Sequence, residues 1–209
     1  MKPVVDHLVY AAPDLEMGVN ALAELLGARA TPGGKHVGLG THNALLGLGE
    51  GTYIEIIAPD PEQPRPERPL PFGLASVRAP RLATFAVRTT DIDALVASSR
   101  DAGYDPGAPI DMSRTRPDGV VLKWRLAYHL EMPAGGVIPF VIDWGDTPHP
   151  SAGLPNGGKL IELRAQHPDP DSVRSSLAAL GFEMEVVDGS SPQLTATIDA
   201  GGGRRVDLR

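Results

Sequence analysis

Cysteine is absent from this 209-residue sequence, and aromatic residues make up only 5% of it. Without cysteine the chain forms no disulfides, thiolate zinc sites or iron–sulfur clusters, so any metal must be held by His, Asp or Glu. Positive charge is also scarce, because 19 Lys and Arg stand against 26 Asp and Glu, a net charge of −7. This balance argues against nonspecific binding to nucleic acid or to an anionic membrane surface.

Long apolar runs are missing as well. No stretch reaches the roughly 18 residues that a membrane span needs. The opening segment carries Asp6 before any apolar run develops, which argues against a signal peptide. We therefore expect a cytoplasmic protein that works on a small-molecule substrate, with neither nucleic acid nor a membrane as partner. Hydrophobic residues make up 42% of the chain, enough to build a core.

The pattern of strands and helices recurs three times, over residues 4–58, 83–144 and 159–208. Each pass opens with an apolar strand, followed by a helix that begins at Asp14, Asp91 or Asp169. Within these passes, residues 31–40 look like a Gly-rich connection and residues 104–110 like a weak strand. The Pro-rich connection over residues 59–80 predicts an extended linker, or a short packed turn around Pro71–Leu74.

This repetition predicts an α+β fold built from βαβββ modules, because a single module leaves one sheet face uncovered. Two modules within residues 1–152 would close curved sheets around a cleft, and residues 159–209 would form a third unit packed on them. Pairing within one chain and pairing between the copies of a homodimer are both open alternatives.

Several short motifs, in this order, resemble the glyoxalase, bleomycin-resistance and extradiol-dioxygenase group, the vicinal-oxygen-chelate superfamily. The segment from His7 to Leu15 is similar to the opening strand and helix start of that module. Tyr53–Ile57, with Glu55 at its centre, is similar to the fourth strand. The segments 41–48 and 139–151 resemble the glyoxalase-like subgroup.

The resemblance implies a divalent metal in the cleft, held by the first and last strands of two modules. The matching positions here are His7, Glu55 and Asp143. The fourth falls at Thr84 or at Phe85, and neither residue is an ordinary ligand for a divalent metal. One imidazole and two carboxylates would suit Mn, Fe, Co or Mg, and Zn less well. Glu55 is in addition the candidate general base. The alternatives are a buried core histidine at His7, ion pairs for Glu55 and a turn cap at Asp143.

Five further residues are candidates for substrate binding, and each has a structural alternative. His42 and His149 are predicted to lie near the cleft, but a strand-end turn residue and a surface loop residue fit equally well. Ordinary core packing is the alternative for the two aromatic residues. The candidates are His42, Asn43, Trp124, Tyr128 and His149.

Two histidines and one glutamate are predicted to lie outside the site. His36 and His167 fall in apparent loops, and Glu162 resembles Glu55 in context but lies on the first strand of its unit. The resemblance implies a metal-dependent enzyme of the lyase, isomerase or dioxygenase type, acting on a small oxygenated substrate. The alternative is a metal-free protein that binds or sequesters a small molecule, as bleomycin-resistance proteins do.

Overall fold

The structure is a computed structural model that describes residues 2–49, 51–116 and 118–209. Its elements follow the order strand, helix, strand, strand, strand three times. The first unit comprises β1 (Val4–Ala11), α1 (Leu15–Leu26), β2 (Thr31–His36), β3 (Thr41–Gly47) and β4 (Tyr53–Pro59). The second comprises β5 (Arg81–Arg88), α2 (Ile92–Asp101), β6 (Ile110–Thr115), β7 (Val121–Ala127) and β8 (Phe140–Asp143). The third comprises β9 (Lys159–His167), α3 (Pro170–Ala179), β10 (Glu185–Asp188), β11 (Gln193–Asp199) and β12 (Arg205–Leu208).

The first two units close into one eight-stranded barrel with the order β1-β4-β3-β2-β6-β7-β8-β5. Each contributes the same internal order, and in each the first strand pairs in parallel with the last. The units meet where β1 pairs antiparallel with β5, and again where β2 meets β6 at Lys35 and Thr115. The predicted α+β class with curved sheets around a cleft is thereby confirmed, and both halves of the barrel come from one chain.

The third unit repeats the order of elements but not the sheet. Its strands form a separate four-stranded sheet in the order β10-β9-β11-β12. Here the first strand pairs in parallel with the second strand, β10, and antiparallel with β11. A shared pattern of elements therefore produces two different sheet topologies.

The three helices begin where the sequence predicts. The carboxylates of Asp14, Asp91 and Asp169 accept hydrogen bonds from backbone N–H groups three residues later, which satisfies donors that the first turn leaves open. Helix α1 ends at Gly27, whose φ of 74° is a left-handed conformation that glycine adopts without a steric penalty.

Successive side chains along the barrel strands point alternately outward and inward, and they form two separate apolar cores. In β1, Leu8 and Tyr10 face an outer core shared with the helices and the third sheet, while Val9 and Ala11 face the barrel interior. Phe85 of β5 also faces outward, and its ring centroid lies 5.6 Å from that of Phe182 in the third unit. The inner core, rather than the outer one, surrounds the candidate site.

Two local predictions were wrong. Residues 31–40 contain the strand β2, because Gly33 and Gly34 lie within a sheet pairing that includes a bulge. The weak strand predicted at 104–110 is absent over residues 104–109, and pairing with β7 begins only at Ile110. The Pro-rich connection does hold a short 3₁₀ segment, Pro71–Ser76, in which Pro71 and Leu74 are buried. No helix among the described residues is long and apolar enough to cross a membrane.

Candidate active site

A small cavity of about 70 Å³ lies inside the barrel, and it holds the polar residues that sequence reasoning partly identified. Its walls come from both modules and include five aromatic rings, those of Tyr53, Phe72, Trp124, Tyr128 and Phe140. A wider groove of about 1260 Å³ opens beside it. Trp124 and Arg114 line both spaces, so the groove and the cavity adjoin each other.

His7 faces the cavity with one of its ring nitrogens fixed. Its Nδ1 lies 2.6 Å from Oδ1 of Asp6, a carboxylate with no solvent exposure. The ring also stacks on Tyr53, with centroids 4.8 Å apart. These contacts fix the orientation of the ring and leave Nε2 directed toward Glu55, whose Oε2 is 3.7 Å away.

A bulge in β1 explains why two consecutive residues can pair in this way. In the register with β5, Val5 pairs with Val87 and His7 with Ala86, so Asp6 is the extra residue. In a regular strand the side chains of Asp6 and His7 would point to opposite faces. The bulge turns both toward the same end of the barrel.

Asp6 is held from several sides. His149 Nε2 lies 2.8 Å from Oδ2, and the Trp144 indole Nε1–H donates to the same oxygen at 3.1 Å. Burial alone would raise the pKa of Asp6, but hydrogen bonds from His149 and His7 outweigh it and hold this pKa well below its ordinary value. Asp6 is therefore ionised and available to accept the Nδ1–H of His7.

Glu55 lies in the middle of β4 and is 8% exposed. Its Oε1 accepts a hydrogen bond of 2.6 Å from Asn43 Nδ2 and lies 3.7 Å from His36 Nε2. The neighbouring imidazoles and the amide compensate the cost of burying a carboxylate among apolar strands. Burial also lowers the pKa of His36, so this ring is neutral beside Glu55 near neutral pH.

Asn43 connects Glu55 to a cation from the second module. Its Oδ1 accepts a hydrogen bond of 2.7 Å from Arg114 Nη1, and Arg114 is only 5% exposed. Desolvation lowers the pKa of Arg114, partly offset by the negative charge of Glu55. A chain of polar contacts therefore runs from Arg114 through Asn43 to Glu55 and on toward His7.

The structure brings together only part of the predicted residues. His7, Glu55, Asn43, Trp124 and Tyr128 line the cavity. His149 lines the outer groove and contacts Asp6. His42 lies on the opposite face of β3 from Asn43, with its ring 3.9 Å from Asp60, and does not line the cavity.

Asp143 is not at the cavity. Its carboxylate accepts hydrogen bonds from the backbone N–H groups of Ile92, at 3.2 Å, and Gly145, at 2.9 Å, and so caps a helix start and a turn. Thr84 lines a separate pocket of about 20 Å³, and Ala86, opposite His7, has no donor atom. Among the described residues of the second module, neither Ala86 nor Thr84 supplies a carboxylate or an imidazole opposite His7.

A divalent metal does not fit the residues present. Among residues 2–49, 51–116 and 118–209, no group of three His, Asp or Glu side chains is placed to hold one ion. The cation that contacts Asn43, the hydrogen-bond partner of Glu55, is the guanidinium of Arg114. The set of His7, Glu55 and Asp143 that the resemblance implies is therefore not assembled.

Sequence reasoning missed four site residues. His36 was predicted to be solvated, but it lies in β2, is 7% exposed and faces Glu55. Asp6, Tyr53 and Arg114 were not considered as site residues. For Asp6 the adjacent His7 was the available signal, whereas nothing in the local sequence around Arg114 indicates that it reaches Asn43. His167 is half-buried in β9 with Nδ1 near Asp169, and Glu162 is exposed and paired with Arg164.

Comparison with known proteins gives the family. A family model described as a glyoxalase-like domain matches residues 5–181. The chain belongs to this family. The match confirms the resemblance carried by the sequence motifs, and its range spans the barrel together with β9 and α3 of the third unit. No curated protein sequence matches this glyoxalase-like chain.

Solved structures resemble the chain at low sequence identity. A hypothetical protein from Staphylococcus aureus is 15% identical, with a TM-score of 0.70 and coverage of 97% of each chain. Methylmalonyl-CoA epimerase from Mycobacterium tuberculosis is 22% identical over 66% of this chain and 86% of that chain, with a TM-score of 0.43. The Streptomyces coelicolor epimerase in complex with 2-nitronate-propionyl-CoA is 21% identical over 68% and 98%, with a TM-score of 0.47.

Proposed function

We propose that this glyoxalase-like protein is an enzyme that transfers a proton on a small oxygenated substrate, with His7 and Glu55 as its acid–base pair. The observation that carries the proposal is the position of their side chains. His7 Nε2 and Glu55 Oε2 lie 3.7 Å apart at the wall of a small, mostly apolar cavity. Two groups that each take up or release a proton can therefore reach the same substrate atom.

His7 is oriented for this role by Asp6. A carboxylate that accepts the Nδ1–H of an imidazole fixes the tautomer in which Nε2 carries the lone pair, and it stabilises the imidazolium that forms when Nε2 takes a proton. The low pKa of Asp6 keeps this acceptor charged. His7 Nε2 is thus the proposed base that removes a proton from carbon next to a carbonyl group.

Glu55 is the proposed partner that receives this proton from the imidazolium of His7 and returns it to the neighbouring carbon or oxygen of the substrate. The Asn43 amide holds Oε1, while Oε2 faces His7. Isomerases and lyases that act beside a carbonyl both use such a proton transfer, so the proposal covers these two classes. It contains no metal-dependent step, because the predicted donor set is not assembled.

The cavity limits the size of the reacting group. A volume of about 70 Å³ is far smaller than the roughly 300–1,000 Å³ of sites for drug-sized ligands. The reacting part of the substrate therefore has only a few non-hydrogen atoms. Any larger part would lie in the adjoining groove of about 1260 Å³.

The direct test follows exchange of carbon-bound hydrogen for deuterium in D₂O by NMR, using a panel of small aldehydes, ketones and oxo acids. We expect exchange with the unmodified protein and a loss of at least about 100-fold in Glu55→Gln and in His7→Asn. Glu162→Gln is the matched control, because Glu162 has a similar sequence context but is exposed in the third sheet. Circular dichroism checks that each variant is folded.

Two outcomes would contradict the proposal. One is exchange that persists unchanged in Glu55→Gln and His7→Asn. The other is activity that disappears on chelation and returns with a stoichiometric metal, which would restore the metal-dependent interpretation. Tight binding of panel compounds without any exchange would favour the alternative of a sequestering protein, for which the apolar lining of the cavity is the supporting observation.

A further inference from the structure

We infer that Arg114 forms an anion subsite that binds the carboxylate of a short 2-oxo or 2-hydroxy acid, with the reacting carbon of that acid beside His7 and Glu55. The location of the reacting carbon rests on the proposed function. The subsite itself is a statement about binding, and it can be tested without turnover.

Arg114 is a buried cation without a carboxylate partner. Among the described residues its hydrogen-bonding partner is the neutral Asn43 amide, and no Asp or Glu oxygen lies within 4.0 Å of it. Buried arginines are ordinarily paired with an anion, since desolvating an unpaired charge is costly. Glu55 attracts Arg114 over a longer distance, but its own oxygens already face Asn43, His7 and His36.

The remaining donors of the guanidinium are not fully buried. Among the described residues, no fully buried side-chain nitrogen or oxygen lacks a hydrogen-bond partner. The N–H groups of Arg114 that have no protein partner must therefore be accessible. Arg114 lines both the inner cavity and the groove, which are the two spaces that these donors can reach.

The backbone of β2 is shaped around this arginine. A Cβ atom at Gly33 would lie 2.3 Å from Arg114 Nη1 and 2.2 Å from Asn43 Oδ1, closer than atoms can approach. At Gly34 an added Cβ would meet the Thr115 carbonyl at 2.7 Å, and its φ of 146° is one that other residues rarely adopt. The strands β2, β3 and β6 thus hold the guanidinium in one place, so Arg114 differs from a flexible surface arginine.

The chemistry of the site favours a small planar anion. A guanidinium donates two parallel N–H groups that match the two oxygens of a carboxylate, and the pairing is stronger where water is excluded. Arg114, His7 and Glu55 line the same cavity of about 70 Å³. In a 2-oxo or 2-hydroxy acid, the carbonyl or hydroxyl carbon is next to the carboxylate. Such an acid is short enough to place its carboxylate at Arg114 and its reacting carbon beside His7 and Glu55.

The test compares an acid with its neutral isostere. Binding of pyruvate and of pyruvamide is measured by calorimetry and by tryptophan fluorescence, because Trp124 lines the same cavity. We expect pyruvate to bind at least about tenfold more tightly than pyruvamide. We expect Arg114→Gln to abolish the preference for pyruvate. Arg114→Lys keeps the positive charge but loses the two parallel N–H donors, so we expect it to retain only part of the preference.

Arg116→Gln is the matched control. Arg116 follows β6, lines the groove and is exposed and paired with Asp118, so its loss lowers the general positive charge without touching the subsite. The control should bind pyruvate as the unmodified protein does. Inorganic phosphate is the second anion, and tighter binding of phosphate than of pyruvate would contradict a carboxylate subsite.

Glu55→Gln separates this inference from the proposed reaction. Because the substitution removes a negative charge near the bound anion, we expect pyruvate to bind at least as tightly while deuterium exchange is lost. Pyruvate binding that depends on Arg114, with no exchange on any compound, would support the subsite and overturn the proton transfer. Equal binding of pyruvate and pyruvamide, or unchanged pyruvate binding in Arg114→Gln, would overturn the subsite whatever the exchange shows.

Discussion

At the scale of single residues, the site depends on buried ionisable groups that are matched to one another. Asp6 is fully buried and ionised, Glu55 is 8% exposed, and His36 is 7% exposed. Residues on segments that are distant in sequence contact each of these three side chains. Such groups make protein stability depend on pH, because their protonation differs between the folded and unfolded chain.

His36 gives a specific expectation for this dependence. Burial lowers its pKa below the ordinary 6.5, so the unfolded chain binds a proton at a higher pH than the folded protein does. The stability that His36 contributes is therefore present above about pH 6.5 and is lost as the pH falls toward its folded pKa. Each unit by which folding lowers the pKa of His36 corresponds to about 1.4 kcal/mol in the free energy of unfolding.

We expect His36→Gln to flatten the loss of unfolding free energy between about pH 7 and 5, as measured by urea denaturation at several pH values. The exposed His129, changed to Gln, is the control and should keep the slope of the unmodified protein. Equal slopes in all three proteins would show that His36 is not buried in its neutral form.

At the scale of elements, the segment that follows β8 is joined to the start of β1. Trp144 and His149 both contact Asp6 Oδ2, and His149 Nδ1 lies 2.7 Å from Ser151 Oγ. Trp144 also packs against Trp124, with ring centroids 5.3 Å apart. This segment forms part of the groove wall and, through Asp6, supports the orientation of His7.

Removal of the His149 side chain should loosen this segment. A hydrogen bond to a charged acceptor contributes about 1.5–3 kcal/mol, so we expect His149→Ala to raise amide hydrogen exchange over residues 144–154 by roughly tenfold or more. His129→Ala is the control for loss of a histidine. Unchanged protection in His149→Ala would mean that Asp6 does not hold the segment.

At the scale of the whole molecule, the third sheet covers the outer face of the barrel rather than extending it. Phe182 packs against Phe85 within a core that is shared with α1, α2 and α3. The backbone N–H of Leu82 donates to the Arg209 carbonyl at 2.8 Å, which also joins the barrel to the end of the described chain. The barrel and the third sheet thus share one apolar core, and we expect them to unfold together.

Phe182→Ala tests this shared core. We expect the free energy of unfolding to fall by about 3 kcal/mol, because a large ring leaves a cavity between the sheet and the barrel. Val187→Ala is the control, since Val187 is 46% exposed on β10, and it should change stability by less than about 0.5 kcal/mol. Two separate transitions in thermal unfolding of the unmodified protein would contradict a single cooperative core.

The sequence by itself determined the elements and the family. Aspartates at three helix starts and alternating apolar residues are local signals, so the three βαβββ patterns and the positions of His7 and Glu55 on inward-facing strands could be predicted. Where the local signal was weak, as in the Gly-rich β2, the prediction failed. There the pairing with β3 and the space needed by Arg114 decide the backbone, and both lie outside the segment.

Only the tertiary structure decided which side chains meet. The bulge at Asp6 reverses an alternation that the sequence implies, and closure of the barrel brings Arg114 to Asn43, 71 residues away. The same closure leaves Asp143 at a helix start instead of at the cavity. Registers and bulges depend on the energies of many contacts between distant strands, and for that reason the constellation of the site is a property of the fold and not of any local pattern.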